Sequence, residues 1–182
     1  IHYSVAQALM RADRFAEAVP HLQRARDAGI APGASGLELA RSLAEAGRLN
    51  EARQALRDAE PAIPPDAGEQ THVDMGLLAM QLGDPAGAER LFRKAIAAYP
   101  SSAVAHEKLG LCLIEQGRAG EAAAALGRAV ELEPSSATVR YNLAVALARD
   151  GRLAEAAAAA RSALRLRPDY APARAMIEQL EK

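Results

Sequence analysis

Large rings and thiols are almost missing from this chain. Tryptophan is absent, phenylalanine and tyrosine number 2 and 4, and aromatic residues make up 3% of 182 positions. A core built without rings has to come from close helix approach over small side chains. The only cysteine, Cys112, excludes an internal disulfide framework. A net charge of -1, with both signs interspersed, offers no basic field for nucleic acid and no polybasic stripe for anionic lipid, so neither is expected as a partner. No segment reaches the roughly 18 uncharged apolar residues of a membrane span, because even the alanine-rich stretch around Ala156 is soon interrupted by Arg161. The expectation is a soluble protein, cytoplasmic or periplasmic. Metalloprotease, phosphate-loop, nucleophile-elbow and paired-cysteine motifs are all missing, so no enzyme, cofactor or metal site is expected. The chain opens at Ile1 with no initiator methionine and no signal peptide, which makes it an expected piece of something longer.

What the chain has is alanine and a period. Ser101–Pro134 reads as two helix-length apolar patterns hinged at Gly117, and the same grammar returns in Ser135–Pro168. A period of this length predicts a helical solenoid. With the loop residue of each unit as an anchor (Asp13, Gly47, Gly83, Gly117, Gly151), the spacings are 34, 36, 34 and 34. Seven residues before each anchor stands Ala6, Ala40, Gly76, Gly110 or Ala144. Alanine also stands five and twelve residues after every anchor, as in Ala122 and Ala129. These are the expected close contacts between helices. Leu22, Leu56, Phe92, Leu126 and Ala160, nine after the anchors, are expected to fill the space between them. Glycine past a helix end takes the left-handed conformation that closes the last carbonyls, and Asp13 does so less well. Proline seventeen residues on (Pro64, Pro100, Pro134, Pro168) stops the second helix, and Ser102, Ser136 or Asp169 beside it is placed to cap the next.

Two places depart from the rhythm. Pro61–Gly68 carries three prolines and lengthens the spacing by two, so units one and two are expected to couple loosely to the three regular ones. Ser35-Gly36-Leu37-Glu38 fits a capping box, which puts the start of the second unit's first helix near Gly36. Pro20 is expected to bend the second helix of unit one or shorten its start.

The pattern resembles the tetratricopeptide repeat over essentially the whole chain. The residues that carry the resemblance are the small residue before the loop, the loop glycine, the Glu-Ala pairs Glu17-Ala18, Glu51-Ala52, Glu121-Ala122 and Glu155-Ala156, the later alanine and the terminal proline. The family's large aromatic at the start of the first helix is replaced by His2, Gly36, His72, His106 and Arg140. The implied fold is all-α: a right-handed superhelical α-solenoid of five antiparallel helix pairs plus a C-terminal capping helix. The units are 1–33, 34–66, 67–100, 101–134 and 135–168, with 169–182 as the cap, where Met176, Ile177 and Leu180 cover the fifth unit while Glu178, Glu181 and Lys182 face water. The cap is expected to be the true C-terminal end of the array.

Histidines 2, 72 and 106 share one register. Repeat neighbours lie about 10 Å apart, too far for one ion with bonds of about 2 Å, so they are expected to be half-buried replacements for the aromatic. Cys112 is expected to be a small buried hydrophobe. Functional residues are sought on the inward face of the first helices, ten, six and three before each anchor. The candidate concave groove comprises Tyr3, Leu37, Arg41, Val73, Leu77, Met80, Glu107, Leu111, Ile114, Tyr141, Asn142, Val145 and Arg149. Most are apolar, as a solvated face should not be. Two modes known in the family do not carry over. The carboxylate clamp finds Tyr3, Leu37, Val73, Leu77, Glu107 and Leu111 at its places, and the asparagine ladder finds only Asn142, against Ser4, Glu38, Asp74 and Lys108. The expected function is a protein-protein interaction module holding a peptide or helical segment of a partner. The alternatives are homo-oligomerisation through an apolar N-terminal end around Val5 and Leu9, or substrate positioning for an upstream enzyme. The alanine- and arginine-rich composition points to a bacterium with GC-rich coding.

Overall fold

The computed structural model describes residues 1–180, so Glu181 and Lys182, expected to face water, lie outside the described residues. Among these residues there are eleven α-helices and no strand. They form two compact units, Ile1–Asp84 and Pro85–Lys182.

The first unit contains α1 (His2–Arg11), α2 (Phe15–Asp27), α3 (Pro32–Glu45), α4 (Leu49–Ala59), a 3-10 turn at Glu60–Ala62 and α5 (Glu69–Gln81). The second contains α6 (Pro85–Ala98), α7 (Ala103–Glu115), α8 (Ala119–Leu132), α9 (Ala137–Arg149), α10 (Leu153–Leu166) and α11 (Ala171–Leu180). Helices of 10 to 14 residues are marginal alone, so packing must hold them. The small residues do this as their register predicts: Ala6, Ala18, Ala25, Ala40, Ala52, Ala88, Ala95, Ala122, Ala129, Ala144, Ala156 and Ala163 are all fully buried.

Every anchor has the expected backbone. Gly47, Gly83, Gly117 and Gly151 have φ of 76°, 71°, 75° and 80°, and Asp13 takes 56° in their place. Just past each of four anchors an arginine begins the second helix and chelates a glutamate three residues on. Arg14–Glu17, Arg48–Glu51, Arg118–Glu121 and Arg152–Glu155 each make two hydrogen bonds. These bonds hold each of the four carboxyls below its ordinary value of 4.5. A carboxyl held low in the folded chain contributes stability above its unfolded value, and that contribution is lost as pH falls through the folded value. The melting temperature is therefore expected to hold steady near neutrality and to fall below pH 4.5. Replacing all four glutamates by glutamine should flatten that acidic limb, and an unchanged limb would remove these pairs from the explanation.

Several local expectations need correction. Helix α3 begins at Pro32, after Ala31 with φ 45°, and not near Gly36. Ser35 and Gly36 are buried inside it, and the Ser35 N–H donates to Ala31 O at 2.8 Å, so no capping box forms there. Proline at the first helical position suits this start, since the helix needs no N–H from it. Pro20 sits inside α2, which starts at Phe15, so the start is not shortened. Helix α4 stops at Ala59 because Pro61 comes before Pro64, and the 3-10 turn follows. Helix α11 starts at Ala171, which puts Tyr170 and not Asp169 at its cap. Ser102 and Ser136 do cap, accepting from Ala105 N at 2.9 Å and Val139 N at 3.3 Å. Coupling across Pro61–Gly68 is loose as expected, since α4 and α5 touch at few places. The compact units part after Asp84, within the third repeat.

The end of the second unit closes as expected. Ala144, Ala160, Ala163 and Ala173 make a buried cluster, with Tyr141, Tyr170, Met176 and Ile177 packed on it. Tyr141 and Tyr170 meet edge to face with centroids 5.3 Å apart. Two rings and a methionine thus fill what a small Ala160 leaves open.

Candidate interaction surface

Successive first helices are tied side by side by polar side chains, each unit in its own way. In the first, Tyr3 Oη donates to Glu38 Oε1 at 3.2 Å and Gln7 Nε2 donates to the same oxygen at 3.4 Å, linking α1 to α3. Burial and the Glu38 carboxylate push the Tyr3 phenol above its ordinary value, so it remains a donor. Arg41 Nη2 then reaches Asp74 Oδ2 at 3.1 Å, linking α3 to α5. In the second unit, Asn142 Nδ2 donates to Glu107 Oε1 at 2.9 Å and Arg149 Nη1 donates to Ile114 O at 3.2 Å, linking α9 to α7. Asn142, Glu107, Arg41 and Tyr3 are therefore engaged with neighbouring helices.

The apolar candidates divide by register. Six residues before the anchor the side chain faces outward: Leu77 is 37% exposed, and Leu111 and Val145 are half-buried. Met80 and Tyr141 are half-buried too, and Arg149 is exposed. Leu37, Val73 and Ile114 are buried, at 8%, 1% and 8% exposure. Val73 belongs to the core and presents no surface to a partner. These positions lie at the flank of the face, where burial depends on how closely neighbouring helices approach.

One surface feature has no counterpart elsewhere in the repeat pattern. The segment after α4 folds back so that Ile63 is buried against the start of α3. A Cβ on Gly33 would stand 2.5 Å from Ala62 O and 2.8 Å from Ile63 Cδ1, so only glycine allows this approach. Between them lies a cavity of about 460 Å³, whose walls include Leu37, Glu38, Arg41, Ile63, Pro64 and Thr71. Leu37 and Arg41 were candidates from the sequence. Glu38, Ile63, Pro64 and Thr71 were missed, and the three prolines at 61–65 were the signal that marked the place.

The reactive-looking residues do no visible chemistry. Cys112 is buried and donates to Pro85 O at 3.3 Å. Burial pushes its thiol above the ordinary value, against a smaller opposing pull from the Gln116 amide. The reactive thiolate is thus suppressed. Labelling by a thiol-specific disulfide reagent at neutral pH is expected to be slow and to accelerate only in denaturant; rapid stoichiometric labelling of the folded chain would contradict this. His72 is buried with Nδ1 3.0 Å from Gly68 O, His106 Nε2 lies 3.3 Å from Pro100 O, and His2 Nδ1 lies 3.0 Å from His21 Nδ1. Among the described residues no three metal-ligating side chains cluster. No helix among them is long and apolar enough to cross a membrane.

Helices of near-constant length, small buried contacts at a fixed register and repeated left-handed loop residues define a helical-repeat protein. The model of the family described as tetratricopeptide repeat matches residues 3–67, 73–129 and 113–171, and the chain belongs to that family. Its fold is generally a non-catalytic scaffold for protein-protein interaction. Among solved structures, the chain is similar to YrrB, described as a TPR protein with an unusual peptide-binding site. The TM-score is 0.79 at 18% identity, covering 97% of this chain and 90% of that one. It is similar to MamA, with TM-score 0.78, 18% identity and coverage of 93% and 92%. It also resembles TTC0263, a thermophilic TPR protein of Thermus thermophilus, with TM-score 0.61, 22% identity and coverage of 98% and 96%. At these identities the likeness is one of fold. No curated protein matches the sequence.

Proposed function

We propose that the protein is a non-catalytic interaction module that holds a peptide or helical segment of a partner protein on the solvent-facing side of the first helices of its second unit. The observation that carries this reading is the row six residues before the anchors of the second unit, where Leu111 and Val145 keep apolar surface in contact with solvent. Tyr141 extends that surface. The polar ties beside it hold the helices in place, so little side-chain ordering is left to oppose binding. YrrB, with its peptide-binding site, is a relative in fold that makes the reading reasonable.

Peptides selected by phage display on the wild-type protein supply the test. Leu111→Glu should weaken them about ten-fold or more, equal to 1.4 kcal/mol, while Ala124→Glu on the exposed side of α8 should not. Equal binding to both variants would sink the assignment. A second reading, self-association, rests on exposed Val5 on α1. Light scattering over a concentration series separates the two, since a monomer throughout excludes it.

A further inference from the structure

We propose that the groove between α6 and α8 binds an unbranched aliphatic carboxylate, a free medium-chain fatty acid, with its head at Arg128. The site lies apart from the row of Leu111 and Val145 and stands independently of that reading.

The groove is a cavity of about 480 Å³ within the second unit, in the size range of small-molecule sites. Leu109 and Leu113 of α7 make its floor, Ile96 and Ala97 of α6 one wall, and Ala124 and Ala125 of α8 the other. The repeat does not require such a lining. Between α2 and α4 the same register encloses about 180 Å³ over Leu39 and Leu43, and its walls carry Gln23, Arg26, Glu51, Gln54 and Asp58. Position by position, these stand where the second unit has Arg93, Ile96, Glu121, Ala124 and Arg128. An isoleucine thus replaces an arginine, an alanine a glutamine, and an arginine an aspartate. The exchange makes the groove wider, apolar along its walls and cationic at one end.

The two ends differ in charge. At one, Arg93 Nη2 lies 3.7 Å from Glu121 Oε2, and Glu121 also accepts two hydrogen bonds from Arg118. That carboxylate is already engaged. Arg128 stands seven residues further along α8, about 10 Å at roughly 1.5 Å per residue, a length that an extended eight-carbon chain matches. It meets Glu131 through Nη1 alone, at 2.7 Å, and both side chains are more than half exposed, so water already screens the pair. Glu131 is not part of the groove wall. Among the described residues, Nε and Nη2 of Arg128 have no acceptor. A carboxylate at this end can take those donors without displacing Glu131. An alkylammonium would meet Arg128 with a like charge, and an uncharged chain would leave the donors to water.

The test uses small probes on the full chain with ¹³C-labelled isoleucine and leucine methyls. n-Octanoate below its micellar concentration should shift the Ile96 and Leu109 signals saturably, about ten-fold more tightly than n-octanol or n-octylammonium. Arg128→Asp, which installs the residue that the first unit carries in this register, should lose the preference for octanoate and bind octylammonium at least as well. Ala124→Glu should abolish octanoate binding while the peptides of the Leu111 experiment still bind, so the two readings fail separately. Octanol or octylammonium binding as tightly to the wild-type chain, or an unchanged preference in Arg128→Asp, overturns the proposal. The absence of a saturable shift with octanoate does so too. N-acetylated trileucine with a free C-terminus binding more tightly than octanoate overturns the free acid in favour of a partner's chain end.

Discussion

Replacing Phe92 by alanine is expected to destabilise the second unit by about 3–5 kcal/mol, the cost of a deleted ring plus the cavity left behind. Phe92 on α6 is fully buried and is the largest such side chain among the described residues. The repeat itself supplies the control. Leu22, Leu56 and Leu126 occupy the same register and are buried, so Phe92→Leu should cost less than about 1.5 kcal/mol. The fifth repeat carries Ala160 there, but the tyrosine pair and the methionine and isoleucine of α11 pack around its cluster. Phe92→Ala would add no such filler. A shift of the urea midpoint with an unchanged slope checks this, and a loss below about 1 kcal/mol would show that the site collapses freely.

Gly110→Val should be nearly as damaging, at about 3 kcal/mol, the upper end of the range for overpacking. A Cβ at Gly110 would lie 2.5 Å from Leu126 Cγ and 3.1 Å from both of its Cδ atoms. Leu126 is fully buried, so it has nowhere to turn. Ordinarily a glycine in mid-helix costs up to about 1 kcal/mol against alanine, and here close approach reverses that preference. The first two repeats hold Ala6 and Ala40 in this register, with Leu22 and Leu56 across the same loop, so a methyl is accommodated there. No unit holds a branched residue there. The double variant Gly110→Val with Leu126→Ala should cost less than the sum of the two single changes, because the second makes room for the first. Strict additivity would place the damage somewhere other than this contact.

The readings that held rest on requirements local to a few residues. A left-handed residue is needed wherever a hairpin of helices closes, so Gly47, Gly83, Gly117 and Gly151 mark every such loop, and Asp13 was recognisable as their substitute. The buried alanines followed from register alone. The readings that failed depended on distant chain. Ser35 to Glu38 looked like a helix start because the pattern is local, yet Ile63, nearly thirty residues on, packs over Gly33 at the true beginning of α3. Val73 shared a helix face with Leu77, but the closeness of neighbouring helices, which no single helix encodes, took it into the core. Glu38 entered the sequence reading only as a departure from an asparagine ladder. The cavity it lines exists because of how Pro61–Gly68 folds back.

The placement of prolines just beyond α6, α8 and α10 also bears on how such a chain grows. Pro100, Pro134 and Pro168 each stand two residues past a helix end. Unequal recombination between copies of the coding sequence at Pro100 and Pro134 would add or remove one whole helix pair with its internal contacts intact. The same exchange at the loop glycines would join the helix of Gly110 to that of Ala160, or the helix of Ala144 to that of Leu126. The first product pairs a glycine with an alanine, a void that none of the five repeats carries, so duplication is tolerated at the prolines and penalised at the glycines.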